Sequence, residues 1–135
     1  MTINSRTKGA AFERLIVNTI NRCFKEEGID DRVSRNFDQS WKAGLADIYF
    51  RNFCIECKRY GNSSTNMYKQ SWWDQVVKSA GDDFIPLLIY KFNRKPIYAV
   101  VPAWLVSAAP KDNQVVYMCP LEELCEKLIA RIKND

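Results

Sequence analysis

The amino-acid sequence predicts an α/β fold in which helices pack on a mixed β-sheet. Some stretches repeat apolar residues every three or four positions, as helices do, and shorter apolar runs have the length of strands. These segments follow one another in the order α-β-β-β-α-β-β-α. The chain has 135 residues, 47% of them apolar and 27% charged, with no internal repeat or evident linker. We therefore expect one globular domain over residues 1–135.

Two helices are predicted near the ends of the chain. The first runs from Thr7, an N-cap residue type, to about Glu27, and Gly28 ends it. The last begins at Pro120 and carries acidic residues in its first turn. The apolar stripe of the first helix comprises Phe12, Leu15, Ile16, Thr19, Ile20, Cys23 and Phe24, and that of the last comprises Leu121, Leu124, Leu128 and Ile132.

A third helix is predicted over residues 71–82, with Ser71 as its cap. It contains Trp72 and Trp73, which are neighbours and so project in different directions from a helix. We expect one tryptophan in the core. The other, with Tyr60 nearby in sequence, would stack on a splayed base or line a dimer interface.

The remaining apolar runs predict strands. Residues 31–37 have short β-type character, and residues 84–92 and 95–102 flank a turn at Asn93 and Arg94. A further hairpin is predicted in "GLADIYFRNFCIECKRYG", residues 44–61. Together with the helices, these strands give an α-β-β-β-α-β core followed by an extra strand and a C-terminal helix.

The hairpin in residues 44–61 carries charges in an otherwise apolar pattern. If Arg51 and Asn52 form a two-residue turn, Asp47 lies opposite Glu56, with Cβ atoms about 4.5–5.5 Å apart. Lys58 projects from the same face, since it follows Glu56 by two residues. The opposite face collects only apolar side chains, namely Ile48, Phe50, Phe53, Ile55 and Cys57.

Two directly opposed carboxylates repel each other, and a divalent cation between them would remove that cost. Carboxylate oxygens with water and phosphate suit Mg²⁺ or Mn²⁺, and such an ion activates a phosphodiester and a water molecule. Lys58 would then position or deprotonate the water, or stabilise the charge on the phosphate. A hairpin with one solvated face and an ordinary Asp47–Lys58 ion pair explains the same pattern. The hairpin by itself leaves both interpretations open.

Composition excludes several classes of site. The chain has no histidine, which excludes Ser-His and Cys-His nucleophiles and His-ligated zinc. Cys54 and Cys57 face opposite sides of a strand, so this CxxC pair cannot share a metal, and the cysteines are expected to fill the core. The net charge of +4 is compatible with a nucleic-acid partner without requiring one.

No apolar stretch approaches the roughly 20 residues that span a bilayer, and the N-terminal residues lack the apolar segment of a signal peptide. We therefore expect no membrane association and a cytoplasmic location, where the five cysteines stay reduced.

Two segments resemble a known family. Asp47, followed after eight residues by Glu56-Cys57-Lys58, resembles the signature of the PD-(D/E)xK nuclease superfamily. The segment "TKGAAFERLIVNTI", residues 7–20, is similar to the opening helix of archaeal-type Holliday junction resolvases. The outline of the resemblance covers roughly residues 6–105, although only these two segments are specific. Ala46 stands where the signature has proline.

The resemblance implies a restriction-endonuclease-like fold and a Mg²⁺-dependent endonuclease, with Mn²⁺ as a substitute. It assigns Glu13, Asp47 and Glu56 to the metal and Lys58 to assisting the attacking water. It implies resolution of four-way DNA junctions by paired nicks, in recombination or repair. Two opposed cuts require two active sites, and hence a homodimer.

Polar and basic residues near these segments complete the predicted site. Related nucleases sometimes use a polar residue at the position of Gln75 to hold the water, although a surface glutamine is the commoner outcome. Related resolvases carry a serine-rich segment near the site, for which Ser40 is the candidate here. The basic residues expected to neutralise DNA phosphates are Arg6, Lys8, Arg14, Arg35, Lys42, Arg59 and Lys69. Each of them taken singly is typical of a solvated surface.

Two alternatives share the fold. One is another PD-(D/E)xK endonuclease, restriction-like or acting in repair, which cuts a different DNA structure. The other is a DNA-binding module without catalysis, which would bind no divalent metal.

Overall fold

The computed structural model describes residues 5–36 and 46–134, without the side chains of residues 5–7. In these ranges the elements are α1 (Ser5–Glu26), β1 (Ser34–Arg35), β2 (Ile48–Phe50), β3 (Phe53–Arg59), α2 (Gln70–Ala80), β4 (Ile85–Lys91), β5 (Tyr98–Pro102), α3 (Ala103–Val106), β6 (Val116–Pro120) and α4 (Leu121–Lys133). No helix in the described ranges is long and apolar enough to cross a membrane.

The six strands form one mixed sheet in the order β1-β2-β3-β4-β5-β6. Strands β3 and β4 run parallel, and every other neighbouring pair is antiparallel. A parallel pair needs a crossover connection, which α2 provides. The predicted mixed α/β sheet flanked by helices is thereby confirmed, and it is consistent with a restriction-endonuclease-like fold.

Helices cover both faces of the sheet. Helix α1 contributes Phe12, Ile16, Ile20 and Phe24 to one core, which also holds the apolar face of α4. Helix α2 packs on the opposite face and forms a second core with Cys54, Leu88, Tyr90 and Val100. The sheet is therefore buried on both sides, and a charged group at its centre needs compensation.

The β2–β3 hairpin has the register that the sequence predicts. Phe50 pairs with Phe53 and Ile48 with Ile55 around the two-residue turn at Arg51 and Asn52. Arg51 adopts a positive φ of 51°, which costs free energy for a non-glycine residue. Its Nε donates to Asp31 Oδ2 at 2.7 Å, which helps to hold the turn.

Several local predictions need correction. Helix α1 begins at Ser5, two residues before the predicted cap Thr7. Helix α2 begins at Gln70, which places Ser71 inside the helix, and its N-terminus has no side-chain cap. Strand β6 was not expected. The first predicted strand is shorter than expected, and residue Phe37, at its end, lies outside the described ranges.

The expectation that one tryptophan of α2 would be exposed is wrong. Trp72 is 4% exposed and Trp73 is fully buried. Trp72 packs on the sheet side and stacks on Tyr60, whereas the Nε1 of Trp73 donates to the backbone oxygen of Asn113 at 2.8 Å. The chain between α3 and β6 covers the second tryptophan, so α2 is buried along more than one stripe.

Candidate active site

Two carboxylates lie buried where β2 and β3 separate. Asp47 and Glu56 are each 4% exposed, and they are the buried charged side chains among the described residues. The ladder ends at the Ile48–Ile55 pair, so Asp47 and Glu56 lie one residue beyond it on either strand. Asp47 Oδ2 accepts a hydrogen bond of 2.7 Å from the backbone N–H of Cys57. Asp47 thus satisfies a β3 backbone donor at the point where β2 leaves the sheet.

Glu56 is a strongly perturbed acid. Burial, then the charge of Asp47 and a hydrogen bond with it, raise the pKa of Glu56 from 4.5 to about 9, against the opposing charge of Lys58. Its Oε2 is buried and has no hydrogen-bond partner. An orphaned buried oxygen of this kind is costly unless a ligand satisfies it.

The third predicted carboxylate, Glu13, reaches the same place from α1. Burial and the charge of Asp47 raise its pKa, while Arg35 opposes the shift. Arg35 Nε donates to Glu13 Oε1 at 3.1 Å. Asn21 bonds both backbone groups of Val33, at 2.8 and 2.9 Å, which holds β1 against α1 and keeps Arg35 opposite Glu13.

Asp47 connects the three acids, because its charge contributes to raising the pKa of both Glu13 and Glu56. The structure therefore brings together the carboxylates that the sequence predicts. No three Asp, Glu or Cys side chains of the described ranges are arranged around a common point as a metal ion requires. Instead, Glu13 bonds Arg35, and Asp47 bonds the backbone of Cys57.

The donor set nevertheless fits a divalent ion. It offers carboxylate oxygens alone, and Mg²⁺ is commonly held by one or two carboxylates together with water and substrate phosphate. Asp47 and Glu56 supply such a pair, and the unpartnered Oε2 of Glu56 is a ready ligand atom. Burial and the nearby carboxylates raise the pKa of the Cys57 thiol, which disfavours the thiolate form that a metal ligand needs.

Lys58 lies beside these carboxylates, on the strand that carries Glu56. Its Nζ donates to Gln75 Oε1 at 3.0 Å. Gln75 belongs to α2, so the helix that crosses over the sheet also orients the lysine. Gln75 is exposed, as expected for a surface glutamine, but its side chain also contacts Lys58, the predicted catalytic group.

The predicted basic residues differ in their surroundings. Arg14 and Lys69 are exposed, whereas Arg35 points into the site. Arg59 Nη2 donates to Asn93 Oδ1 at 2.9 Å and so also joins β3 to the β4–β5 turn. The side chain of Arg6, and Lys42 with Ser40, lie outside the described residues.

Lys91 is a basic residue that the sequence analysis missed. Partial desolvation and the charges of Arg59 and Lys8 lower its pKa, so these three cations are neighbours. Arg59 and Lys91 are register partners at the carboxyl ends of the parallel strands β3 and β4. The sequence analysis did not predict that β3 and β4 pair across the intervening helix, and this pairing is what brings Lys91 beside Arg59.

The two cysteines of the CxxC segment lie on opposite sides of β3, as predicted. Cys54 belongs to the core beneath α2, and Cys57 packs against the core beneath α1. Both are free thiols. Their role as core fillers is confirmed.

Comparison with known proteins gives independent evidence about the family of this chain. A family model described as "phage putative PDDEXK endonuclease" matches residues 4–120. An uncharacterized protein of Methanocaldococcus jannaschii is 35% identical over 68 residues, which make up 45% of this chain and 30% of that protein. The chain therefore spans less than a third of this relative's length. No solved structure matches the chain.

The family match covers most of the chain, and its range spans the positions of Glu13, Asp47, Glu56 and Lys58. It confirms the resemblance to the PD-(D/E)xK superfamily and leaves the similarity to junction resolvases as a prediction. The sequence match to the family model agrees with the buried pair of acids and the lysine beside it. The chain belongs to this phage-type family of PD-(D/E)xK endonucleases.

Proposed function

We propose that the protein hydrolyses DNA phosphodiester bonds with a divalent ion held by Asp47, Glu56 and Glu13. The observation that carries this proposal is the buried Asp47–Glu56 pair, in which burial and the charge of Asp47 raise the pKa of Glu56 and Glu56 Oε2 has no partner. Mg²⁺ is the expected ion and Mn²⁺ its substitute. When bound, the ion supplies Lewis-acid activation of the phosphodiester and of water.

The other residues of the site act on charge and orientation. Lys58 stabilises the negative charge that builds up on the phosphate during attack by water. Gln75 fixes the direction of the lysine side chain through the 3.0 Å hydrogen bond. Arg35 shares the charge of Glu13 and keeps that carboxylate beside Asp47. Lys8, Arg59 and Lys91 provide positive charge for the flanking phosphates.

We further propose that the substrate is a four-way DNA junction. The support is the similarity of residues 7–20 to the opening helix of archaeal-type resolvases, within a chain whose family is endonucleolytic. Resolution needs two opposed nicks, so the proposal includes a homodimer with two active sites. It also places the enzyme in the cytoplasm and its role in recombination or repair.

The test compares two labelled substrates in Mg²⁺, a synthetic four-way junction and a linear duplex of the same sequence. Asp47→Asn removes one acid of the pair while keeping its shape. Asp82→Asn is the matched control, because Asp82 is an exposed aspartate that precedes β4 at the other end of the sheet. Calorimetric titration with Mn²⁺ on the same three proteins measures metal binding separately from cleavage.

Paired, symmetric nicks in the junction alone, absent in Asp47→Asn and retained in Asp82→Asn, would support the full proposal. Cleavage of both substrates would keep the nuclease and refute junction specificity. DNA binding without cleavage or Mn²⁺ affinity would identify a non-catalytic module and refute the enzyme.

A further inference from the structure

Tyr60 is an exposed aromatic residue next to the proposed catalytic lysine. Its side chain is 43% exposed, and it follows the last residue of β3. Lys58 bonds Gln75 and Tyr60 stacks on Trp72, so both side chains meet α2 on the same side of the sheet, about 6.5 Å apart along the chain. Successive bases of one DNA strand are about 3.4 Å apart. Tyr60 thus lies within about two base steps of a phosphate held at Lys58.

One face of the Tyr60 ring packs on another aromatic ring, and 43% of the residue remains exposed. The ring stacks on Trp72 with centroids 4.8 Å apart and an interplanar angle of 22°. Lys69 Nζ lies 5.6 Å from the Tyr60 centroid and 6.0 Å from the Trp72 centroid. These nearly equal distances place the ammonium beside the pair of rings. Among the described residues, no other ring or cation packs on Tyr60.

The backbone around Tyr60 is held on several sides. Its N–H donates to the carbonyl of Lys91 at 3.1 Å, and its own carbonyl accepts from the Arg59 guanidinium. The next residue, Gly61, accepts a 2.9 Å hydrogen bond from the N–H of Asn93. A ring on so constrained a backbone loses little entropy when it binds a ligand.

These observations have a bearing on the substrate, provided that the proposed nuclease function holds. We propose that Tyr60 stacks on a nucleobase that has left the DNA duplex beside the scissile phosphate, while Lys69 binds the phosphate of that nucleotide. Bases inside a continuous duplex have both faces covered by their neighbours, so only an unpaired or displaced base can stack on the exposed part of the Tyr60 ring. The preferred substrate class is therefore DNA with an unpaired nucleotide at the cut, such as a branch point, flap or bulge.

The first experiment measures binding without cleavage, in Ca²⁺. The probes are a duplex with one unpaired 2-aminopurine and the same strand fully paired. The wild-type protein should bind the bulged probe about tenfold more tightly, with a change in 2-aminopurine fluorescence on binding. Tyr60→Phe should keep both effects and Tyr60→Leu should lose both. Tyr117→Leu is the matched control, since Tyr117 is 40% exposed on the distant strand β6.

The second experiment measures cleavage of the same two DNAs in Mg²⁺. A preference for the bulged DNA that Tyr60→Leu abolishes and Tyr60→Phe retains would support the stacking role. Equal binding of both probes by the wild type would overturn it, whatever the stability of the variants. A Tyr60→Leu variant that loses thermal stability but keeps the wild-type preference would also overturn it, and would make Tyr60 a cover for Trp72.

The two experiments separate this inference from the proposed function. A protein that cuts both DNAs equally, in the wild type and in Tyr60→Leu, would be a nuclease without the stacking site. A protein that shows the fluorescence change and the binding preference but cuts neither DNA in Mg²⁺ or Mn²⁺ would keep the stacking site and refute the nuclease.

Discussion

Replacing Glu56 by glutamine should stabilise the metal-free protein at neutral and alkaline pH. In the folded chain the pKa of Glu56 is about 9, against 4.5 ordinarily. Between these values the folded state keeps a proton that the unfolded state has released, so the free energy of unfolding falls as the pH rises. Since one pKa unit corresponds to about 1.4 kcal/mol, the fall between pH 4.5 and pH 7 is at most about 3 kcal/mol.

The assay is urea denaturation in the presence of a chelator, from about pH 5 to about pH 9. Glu56→Gln keeps the shape and a hydrogen-bond donor toward Asp47 but has no proton to lose. We therefore expect the pH dependence to be much flatter in this variant, while Mn²⁺ binding and DNA cleavage are lost. Glu27→Gln is the matched control, because the Glu27 side chain is 50% exposed and pairs with Lys133 on the surface.

A wild-type free energy of unfolding that stays constant or rises over this range would refute the reasoning. So would a Glu56→Gln variant with the wild-type slope, since the titrating group would then lie elsewhere. Added Mn²⁺ should restore the stability of the wild type at high pH and leave Glu56→Gln unchanged.

Further substitutions test single contacts. Lys58→Met should lower cleavage about 100-fold, while calorimetry finds Mn²⁺ affinity nearly unchanged; a parallel loss of Mn²⁺ binding would contradict a role in charge stabilisation. Gln75→Leu should lower the cleavage rate about tenfold by releasing the lysine, and an unchanged rate would exclude that orienting role. Asn21→Ala removes two hydrogen bonds to Val33 and should cost about 2 kcal/mol in urea denaturation, a figure that an unshifted midpoint would contradict. Ile16→Ala empties a fully buried position and should cost about 3 kcal/mol, unless the core collapses around it.

The sequence was most informative where structure is local. The alternation of residues in the β2–β3 hairpin and its two-residue turn predict the observed register, and that register places Asp47 beside Glu56. The choice between a solvated hairpin face and a functional one could not be made from alternation alone. Both faces of the sheet are covered, so these acids are buried, and a solvated-face ion pair is excluded as their explanation.

The features that were missed depend on non-local contacts. Strand β6 is a short run that becomes a strand through its pairing with β5. Trp73 is buried because a loop far along the chain accepts its N–H, which helix periodicity does not reveal. The proximity of Lys91 to Arg59 follows from the parallel pairing of β3 with β4 across an intervening helix.

The position of β3 between an antiparallel and a parallel neighbour bears on when the proposed active site can assemble during synthesis. Once the ribosome has made β3, the chain contains all three acids and Lys58, but the residues of β4 have not yet been added. Until β4 emerges from the ribosome, the strand that carries Glu56 and Lys58 has only the short β2 beside it. Closing this long-range pairing is a late and slow event in folding. A nascent chain therefore carries the predicted catalytic groups before the scaffold that would assemble them is complete.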